Sequence, residues 1–158
     1  MNPSQVLLFA FLIGAVSGLR SLTAPAVVAW GARQNWLNLH NTPLSFMGST
    51  AALVIFTLLA VAELVTDKLP ATPSRLKPPG LIARILFGGL SGASIAAAGA
   101  QSIALGAVLG VAGGVAGAFA GHEVRSRLVK SLKVPDFVIA LLEDVTAIAG
   151  GLFIVSRF

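Results

Sequence analysis

The feature that most constrains this chain is a long apolar run over residues 6–30, in which Arg20 is the one charged residue. About 20 apolar residues suffice to cross a bilayer, so the run predicts a membrane-spanning helix. Counted back from Trp30 at about 1.5 Å per residue, Arg20 is expected roughly 15 Å deep, near the midplane. An arginine there costs at least about 2.5–3.5 kcal/mol, so it must face protein, water or a carboxylate rather than lipid.

The composition also favours a membrane protein. Hydrophobic residues make up 56% of the chain and charged residues only 11%, where a soluble domain has about 25% charged residues. There is no cysteine, which excludes a disulfide framework and cysteine-based metal or redox chemistry. A net charge of +5 would suggest nucleic-acid binding in a soluble protein. Here the cations lie in short loops between apolar stretches, so no nucleic acid is expected as a partner.

Apolar stretches of spanning length predict an all-α, polytopic transmembrane helix bundle of about five spans. Their approximate bounds are 5–30, 43–66, 81–100, 103–121 and 136–155. The first stretch lacks a preceding basic segment and a convincing cleavage site, so it is interpreted as a retained span, and the chain as one membrane domain. Whether this span is straight, kinked at Pro25 or broken near Arg20 is left open by the sequence.

Two loops carry most of the positive charge, the proline-rich residues 68–80 and residues 122–135. With five spans, both loops lie on the side of the N-terminus, which then holds eight cations against two on the other side. The positive-inside rule therefore predicts a cytoplasmic N-terminus and an outer C-terminus, in the inner (plasma) membrane of a bacterium.

The two ends of the chain align without a gap at an offset of 92 residues, which matches GAVSG at residues 14–18 with GAVLG at residues 106–110. The alignment suggests a two-span repeat, 11–66 and 103–158, joined by a linker span at 81–100. An odd linker would invert the second repeat, a construction that recurs in transporters. A chance match of glycine- and alanine-rich sequence is the equal alternative.

Glycines recur every three or four residues along several of the apolar stretches. Small residues let helix backbones approach closely, so these glycines are interpreted as packing surfaces or as the seam of a homodimer. They are Gly14, Gly18, Gly88, Gly92, Gly106, Gly110, Gly114, Gly117 and Gly121.

Three motifs carry a resemblance to a known family. They are GxxxGLRSLTAPA at residues 14–26, ELVTDKLP at residues 63–70 and LLEDVTAIAGG at residues 141–151. Over essentially its whole length the chain resembles the bacterial membrane proteins catalogued as domain of unknown function 4126. The resemblance implies an integral membrane protein and attaches no activity to it.

Arg20 is the strongest candidate for a functional residue, and Glu143 and Asp144 in the last span are its natural partners. Neighbouring helical residues point about 100° apart, so one acid is expected to meet Arg20 while the other faces a cavity or span four. The functional interpretation is a polar transport or ion-pair site that binds an anion or relays a proton. The alternative, of about equal weight, is a permanent salt bridge that holds the bundle together.

Glu63 and Asp67 lie four residues apart at the end of span two and therefore share one helix face. They are interpreted as an interfacial acidic pair bonded to Lys68 or Arg84, with a cation access site or a weak metal site as the less favoured alternative. The two histidines are isolated in loops, so no metal site is expected.

The sequence contains no nucleophile elbow, P-loop or dinucleotide fingerprint, so neither enzymatic activity nor a cofactor is expected. Two functions stay open. The first is a transporter or channel for a small ion or small polar solute, with the lipid bilayer, a small ion or anion and a second copy of the chain as partners. The second is a non-transporting accessory or scaffold subunit of a membrane complex.

Overall fold

The computed structural model of the protein describes residues 1–67, 76–133 and 135–158. Within these ranges the chain is helical and contains no strand, which confirms the predicted all-α fold. The α-helices are α1 (Pro3–Leu19), α2 (Thr23–Arg33), α3 (Thr50–Thr66), α4 (Pro78–Ala98), α5 (Ile103–Leu132) and α6 (Asp136–Val155). A short 3-10 helix, Ser45–Gly48, precedes α3.

By length and composition, α4, α5 and α6 are apolar enough to cross a membrane, while α1 and α3 are shorter apolar helices of 17 residues. Large apolar side chains on the outside of these helices are exposed, among them Leu58, Leu86 and Val108 at 63–64%. A helix face of this kind is stable against lipid and unfavourable in water. The molecule is therefore a helical membrane bundle.

The single span predicted for residues 5–30 is wrong, because the chain leaves the helix at Arg20 and reverses. At the start of α1, Val6 packs against Gly99 after the end of α4. Near the end of α1, the Gly18 carbonyl accepts a hydrogen bond from Arg84, in the second turn of α4. The two contacts show that α1 runs antiparallel to α4.

After the break, α2 returns along the bundle. Val27 packs against Gly151, and Gly31 packs against Val155 further along α6, so α2 runs parallel to α6. The Phe9 ring, by contrast, lies 6.3 Å from the ring of Phe158 after the end of α6, and Arg20 at the end of α1 lies beside Asp144, earlier in α6, so α1 is antiparallel to α6. Helices α1 and α2 thus form a hairpin in place of one span.

Local backbone chemistry explains where the hairpin turns. Arg20 is extended, with φ −139° and ψ 109°, and ends α1. Pro25 lies in the first turn of α2, where a backbone N–H has no partner within the helix. The proline therefore marks the start of a second helix and does not kink the first.

The hairpin also corrects the predicted placement of the termini on opposite sides. Both termini lie at one end of the bundle, called here the Phe158 end, as the contact of Phe9 with Phe158 shows. Arg20 and Arg84 lie toward the other end, called here the Arg20 end, with Arg20 level with Asp144 in the middle of α6. The midplane position of Arg20 was predicted by counting along one helix from Trp30; the break removes that count, and the depth of Arg20 in the membrane stays a prediction.

Helix α5 is longer than the predicted span of residues 103–121 and continues to Leu132, so most of the loop predicted at residues 122–135 is helical. No glycine or proline interrupts residues 122–132, and α5 ends where Lys133 adopts a left-handed conformation with φ 53°. Of the other predicted loop, residues 68–75 lie outside the described residues, and residues 78–80 already belong to α4.

Glycines bring α1, α4 and α5 into backbone contact. A Cβ atom added to Gly18 would lie 2.5 Å from the backbone nitrogen of Ala118, and one added to Gly88 would lie 2.7 Å from the Gly110 carbonyl oxygen. Only glycine fits at such crossings, because the obstructing atoms are backbone. These glycine faces are filled within the chain, so a homodimer would have to use another surface.

The helix directions do not follow the pattern of a two-span inverted repeat. The register of Gly14 against Gly110 and of Gly18 against Ala118 shows that α1 and α5 run parallel. An inverted repeat requires these aligned helices to run in opposite directions. The partner of α2 in the alignment falls inside the uninterrupted α5.

Candidate functional site

Arg20 is fully buried at the break between α1 and α2, surrounded by carboxylates from two other helices. Its Nη1 donates a hydrogen bond to Asp67 at the end of α3. Its Nε lies 2.6 Å from Oδ1 of Asp144, and its Nη2 lies 3.9 Å from Oε2 of Glu143. The structure thus brings together the three residues singled out in the sequence and adds Asp67.

Of the three guanidinium nitrogens of Arg20, only Nη1 has an aligned hydrogen bond. Nε and Nη2 are buried within ion-pair range of Asp144 and Glu143, without the alignment of a hydrogen bond. A buried arginine is stabilised by its carboxylates as long as all of them stay in place. Among the described residues, Arg20 is therefore held by one hydrogen bond to Asp67 and by charge contacts with Asp144 and Glu143.

Glu63 serves a role that the sequence did not predict, since it caps the N-terminus of α2. Its carboxylate accepts hydrogen bonds of 2.8 Å from the backbone N–H groups of Ser21 and Leu22 and one of 2.5 Å from the Ser21 hydroxyl. A carboxylate at this place satisfies unpaired helix N–H groups and interacts favourably with the helix dipole. The non-helical segment between α1 and α2 is thus stabilised by Glu63 of α3.

The predicted interfacial pair is corrected accordingly. Glu63 and Asp67 do share one face of α3, but this face points inward, to the helix break and to Arg20. Lys68, one of their predicted partners, lies outside the described residues. Pro25 was the sequence signal that could have predicted this inward orientation. A proline of this kind indicates the first turn of a second helix, whose free N–H groups need an acceptor such as the carboxylate of Glu63.

Glu63→Ala is expected to lower the free energy of unfolding by about 1–3 kcal/mol, because it leaves donors at the start of α2 without a charged acceptor. The measurement is reversible unfolding in mixed micelles with increasing SDS. Glu123→Ala is the control, since Glu123 is 57% exposed and pairs with Arg127 on the surface of α5. Equal effects of the two substitutions would contradict the capping role.

Arg84, which the sequence analysis named as a partner of the interfacial pair Glu63 and Asp67, is a buried cation. It is 4% exposed, and its Nε and Nη1 donate hydrogen bonds of 2.9 and 2.8 Å to the carbonyls of Gly18 and Gly80. A cation beside the last carbonyls of α1 stabilises the negative end of that helix. The positive N-terminal end of α2 therefore faces the Glu63 carboxylate, and the negative C-terminal end of α1 faces the Arg84 guanidinium.

A row of charged groups leads from Arg20 to the surface. The Oε2 atom of Glu143 lies 3.4 Å from Nη1 of Arg125, which binds Asp136 through bonds of 2.9 and 2.5 Å. The side-chain exposure rises along the row, from 0% for Arg20 to 8% for Glu143, 18% for Arg125 and 60% for Asp136. The buried arginine is thus connected to solvent through three successive ionisable groups.

These residues form one charged cluster at the Arg20 end of the bundle. In the part of the chain that the structure describes, five carboxylates stand against three guanidinium groups. The members of the cluster are Arg20, Arg84, Arg125, Glu63, Asp67, Asp136, Glu143 and Asp144.

No group of three or more histidine, cysteine, aspartate or glutamate side chains within residues 1–67, 76–133 and 135–158 is arranged to hold a metal ion. His40 and His122 are both exposed, His40 in the segment between α2 and the 3-10 helix and His122 within α5. The chemistry that the charged cluster can perform is binding and exchange of ions or protons.

A cavity of about 280 Å³ lies beside the cluster, between α5 and α6. Glu143 and Arg125 form its polar end, and the rest of its wall is largely apolar. Its other lining residues are Leu19, Ala120, Gly121, Val124, Leu128, Ile139, Leu142 and Thr146.

The fold and the site together define an α-helical membrane protein whose first apolar run is broken at a buried arginine–carboxylate cluster. The chain belongs to the family described as Domain of unknown function (DUF4126), whose profile matches residues 7–156. The resemblance carried by the three sequence motifs is thereby confirmed. No curated protein and no solved structure matches the chain.

Proposed function

We propose that the protein is a small membrane transporter or channel for a small ion or small polar solute, which passes through the charged cluster. The observation that carries this proposal is the row from Arg20 through Glu143 and Arg125 to Asp136, whose exposure rises from 0% to 60%. Ionisable groups inside a membrane bundle are costly and typically mark ion or proton pathways.

The broken helix supports the same proposal. Non-helical backbone in a membrane bundle is tolerated where it is buried in protein or lines a cavity, and transporters place their sites at such breaks. Here the break exposes the N-terminus of α2 and the C-terminus of α1 to Glu63 and Arg84. A permeating ion could take the place of one of these charged side chains as the partner of a helix end, and so bind inside the bundle.

The carboxylates of the cluster also offer a place for a proton. A proton is the simplest ion that such a site can carry, since it needs only one carboxylate to accept it.

The apolar interior between the charged cluster and the Phe158 end favours a carrier over an open pore. Between Arg20 and the Phe158 end, the described interior is a continuous apolar core that includes Ile13, Val27, Ala147 and Ile154. An ion does not cross such a core in one conformation, so transport requires a rearrangement, as in alternating access. The structure would then be the state open at the Arg20 end.

The orientation follows from the charge distribution. Besides Arg20, six of the eight lysine and arginine residues that the structure describes lie at the Arg20 end, near the start of α4 and in the second half of α5. The positive-inside rule then places the Arg20 end in the cytoplasm of a bacterial cell and both termini outside.

Glu143→Gln is expected to reduce cation flux at least about tenfold, because it removes the charge between Arg20 and Arg125 and interrupts the row. The measurement is flux of protons, Na⁺ and K⁺ into liposomes that contain the purified protein. Arg127→Gln is the matched control and should leave flux unchanged, since Arg127 is 78% exposed and pairs only with Glu123 among the described residues. Flux that is insensitive to Glu143→Gln would contradict a route through the cluster.

A second candidate, a non-transporting accessory or scaffold subunit, is favoured by the apolar core and by the ion pairs around Arg20. A permanently paired cluster would need no exchange with solvent. A folded wild-type protein that carries no ion across the panel, and that retains another membrane protein in mild-detergent purification, would support this candidate.

A further inference from the structure

A second cavity, of about 240 Å³, lies at the Phe158 end of the bundle, where α2 ends and α3 begins. It is called here the α2–α3 cavity. Arg33, the last residue of α2, and His40, in the loop that follows, are its basic lining residues. Asn35, Ser45 and Ser49 add amide and hydroxyl groups from the loop, the 3-10 helix and the N-cap of α3. The described wall of this cavity thus contains several hydrogen-bond donors and no acidic residue.

We propose that the α2–α3 cavity binds a phosphate group, held by the guanidinium of Arg33, the imidazole of His40 and the hydroxyl of Ser45. The phosphate can belong to a lipid headgroup or be free in solution, since both present the same oxygens to the donors. The inference is independent of the proposed function, because it concerns the other end of the bundle and uses no residue of the charged cluster.

Arg33 has no carboxylate partner within the described part of the chain. All six aspartate and glutamate residues of the chain are described, and five of them belong to the charged cluster. The sixth, Glu123, pairs with Arg127 on α5. The arginine at the cavity can therefore use its paired N–H groups for an incoming ligand, and their planar geometry matches two oxygens of a phosphate.

The backbone that carries Arg33 and His40 is fixed before any ligand binds. Leu37 and Leu39, between them, are only 2% and 3% exposed and belong to the apolar core. The carbonyl of Gly31, near the end of α2, already accepts hydrogen bonds from the N–H groups that follow the helix, so Arg33 is not needed to cap it. A wall held in this way lowers the entropic cost of binding.

The position of the cavity favours phosphate over other anions. Trp36 and Phe46, each next to a lining residue, are 43% and 49% exposed. Exposed tryptophan on a membrane bundle is typical of the headgroup level, where the lipid phosphates lie. The positive end of the α3 dipole, at Ser49, adds to the attraction. A volume below the range of about 300–1,000 Å³ found for small-molecule sites suits a single small group.

The test is equilibrium binding of two radiolabelled probes, inorganic phosphate and dioctanoyl phosphatidylglycerol, to the immobilised full-length protein in a nonionic detergent. Saturable binding of at least one probe is expected. Unlabelled dioctanoylglycerol, which has the same chains and no phosphate, should compete with the lipid probe at least about tenfold more weakly than phosphatidylglycerol does, a difference of about 1.4 kcal/mol. Tighter binding of the lipid would identify the headgroup as the source of the phosphate, and tighter binding of inorganic phosphate would identify the free ion.

Three substitutions locate the site. Arg33→Gln is expected to weaken binding at least about tenfold, and because Arg33 is exposed, the variant should fold as the wild type does. Arg33→Lys keeps the charge without the paired N–H groups and should give an intermediate affinity. Arg157→Gln is the matched control at the same end of the bundle. Arg157 lies 4.3 Å from the centre of the Phe153 ring and does not line the cavity, so this variant should bind normally.

Three results would overturn the inference. The first is the absence of saturable binding of either probe to the wild-type protein. The second is equal affinity of the Arg33→Gln and Arg157→Gln variants, which would mean that the anion is attracted by the general positive charge of this end. The third is competition by dioctanoylglycerol as strong as by phosphatidylglycerol, which would mean that the protein binds the acyl chains and not the phosphate.

Discussion

Arg20→Ala is expected to lower the free energy of unfolding by about 3–5 kcal/mol, the cost of removing one partner from a buried ion pair. The guanidinium of Arg20 is fully buried and lies within 3.9 Å of carboxylates on Asp67, Glu143 and Asp144. Without it, these like charges face one another in a medium of low dielectric constant and have lost their common partner. Reversible unfolding in mixed micelles measures the loss.

A second substitution separates charge from packing. Adding Asp144→Asn to Arg20→Ala removes one of the uncompensated charges and should recover part of the lost stability, as a double-mutant cycle would show. Arg127→Ala, at a side chain 78% exposed, should have no measurable effect. A loss below about 1 kcal/mol for Arg20→Ala would mean that water reaches the cluster freely and that the ion pairs are weak.

Gly110→Ala is expected to cost about 1–3 kcal/mol or more, because it overfills the closest crossing of α4 and α5. A Cβ atom at this position would overlap the carbonyl oxygen of Gly88 and lie 3.0 Å from the Cα atom of Gly92. Both obstacles are helix backbone, so only separation of the two helices relieves the overlap. The same unfolding experiment reports the effect.

Gly150→Ala is the matched control for this substitution. A Cβ atom there would lie 3.9 Å from Val16 Cγ2, an ordinary van der Waals contact, so the change should stay within about 0.5 kcal/mol. If the two alanine variants were equally stable, α4 and α5 would not be in backbone contact and the order of the helices would need revision.

Much of the helical architecture was predictable from the sequence. The last span was predicted at 136–155 and is α6, Asp136–Val155, because a polar loop with a proline precedes it and the apolar residues stop after it. The turn between α4 and α5 agrees with the predicted spans, which stop at residue 100 and resume at residue 103. There Ser102 caps α5 by accepting a hydrogen bond from the N–H of Leu105.

The break in the first run was not predictable with the same certainty, because residues on both sides of it are apolar and hydropathy alone does not distinguish one long helix from two short ones. Its local signs were Arg20 and Pro25. The reversal of direction is stabilised by contacts that are remote in the sequence, from Glu63 to Leu22 and from Arg84 to Gly18. The prediction that the two termini lie on opposite sides of the membrane counted α1 and α2 as one span, so it depended on this one turn.

The sequence by itself determined that this is an all-α membrane protein and that Arg20 must lie beside carboxylates, because a charge in an apolar medium needs a partner. Only the tertiary structure decided which carboxylates these are and at which end of the bundle they meet. The reason is that partner choice depends on helix direction. Once α1 ends at Arg20, the end of α3 and the middle of α6 lie at the same level and bring Asp67 and Asp144 to one guanidinium.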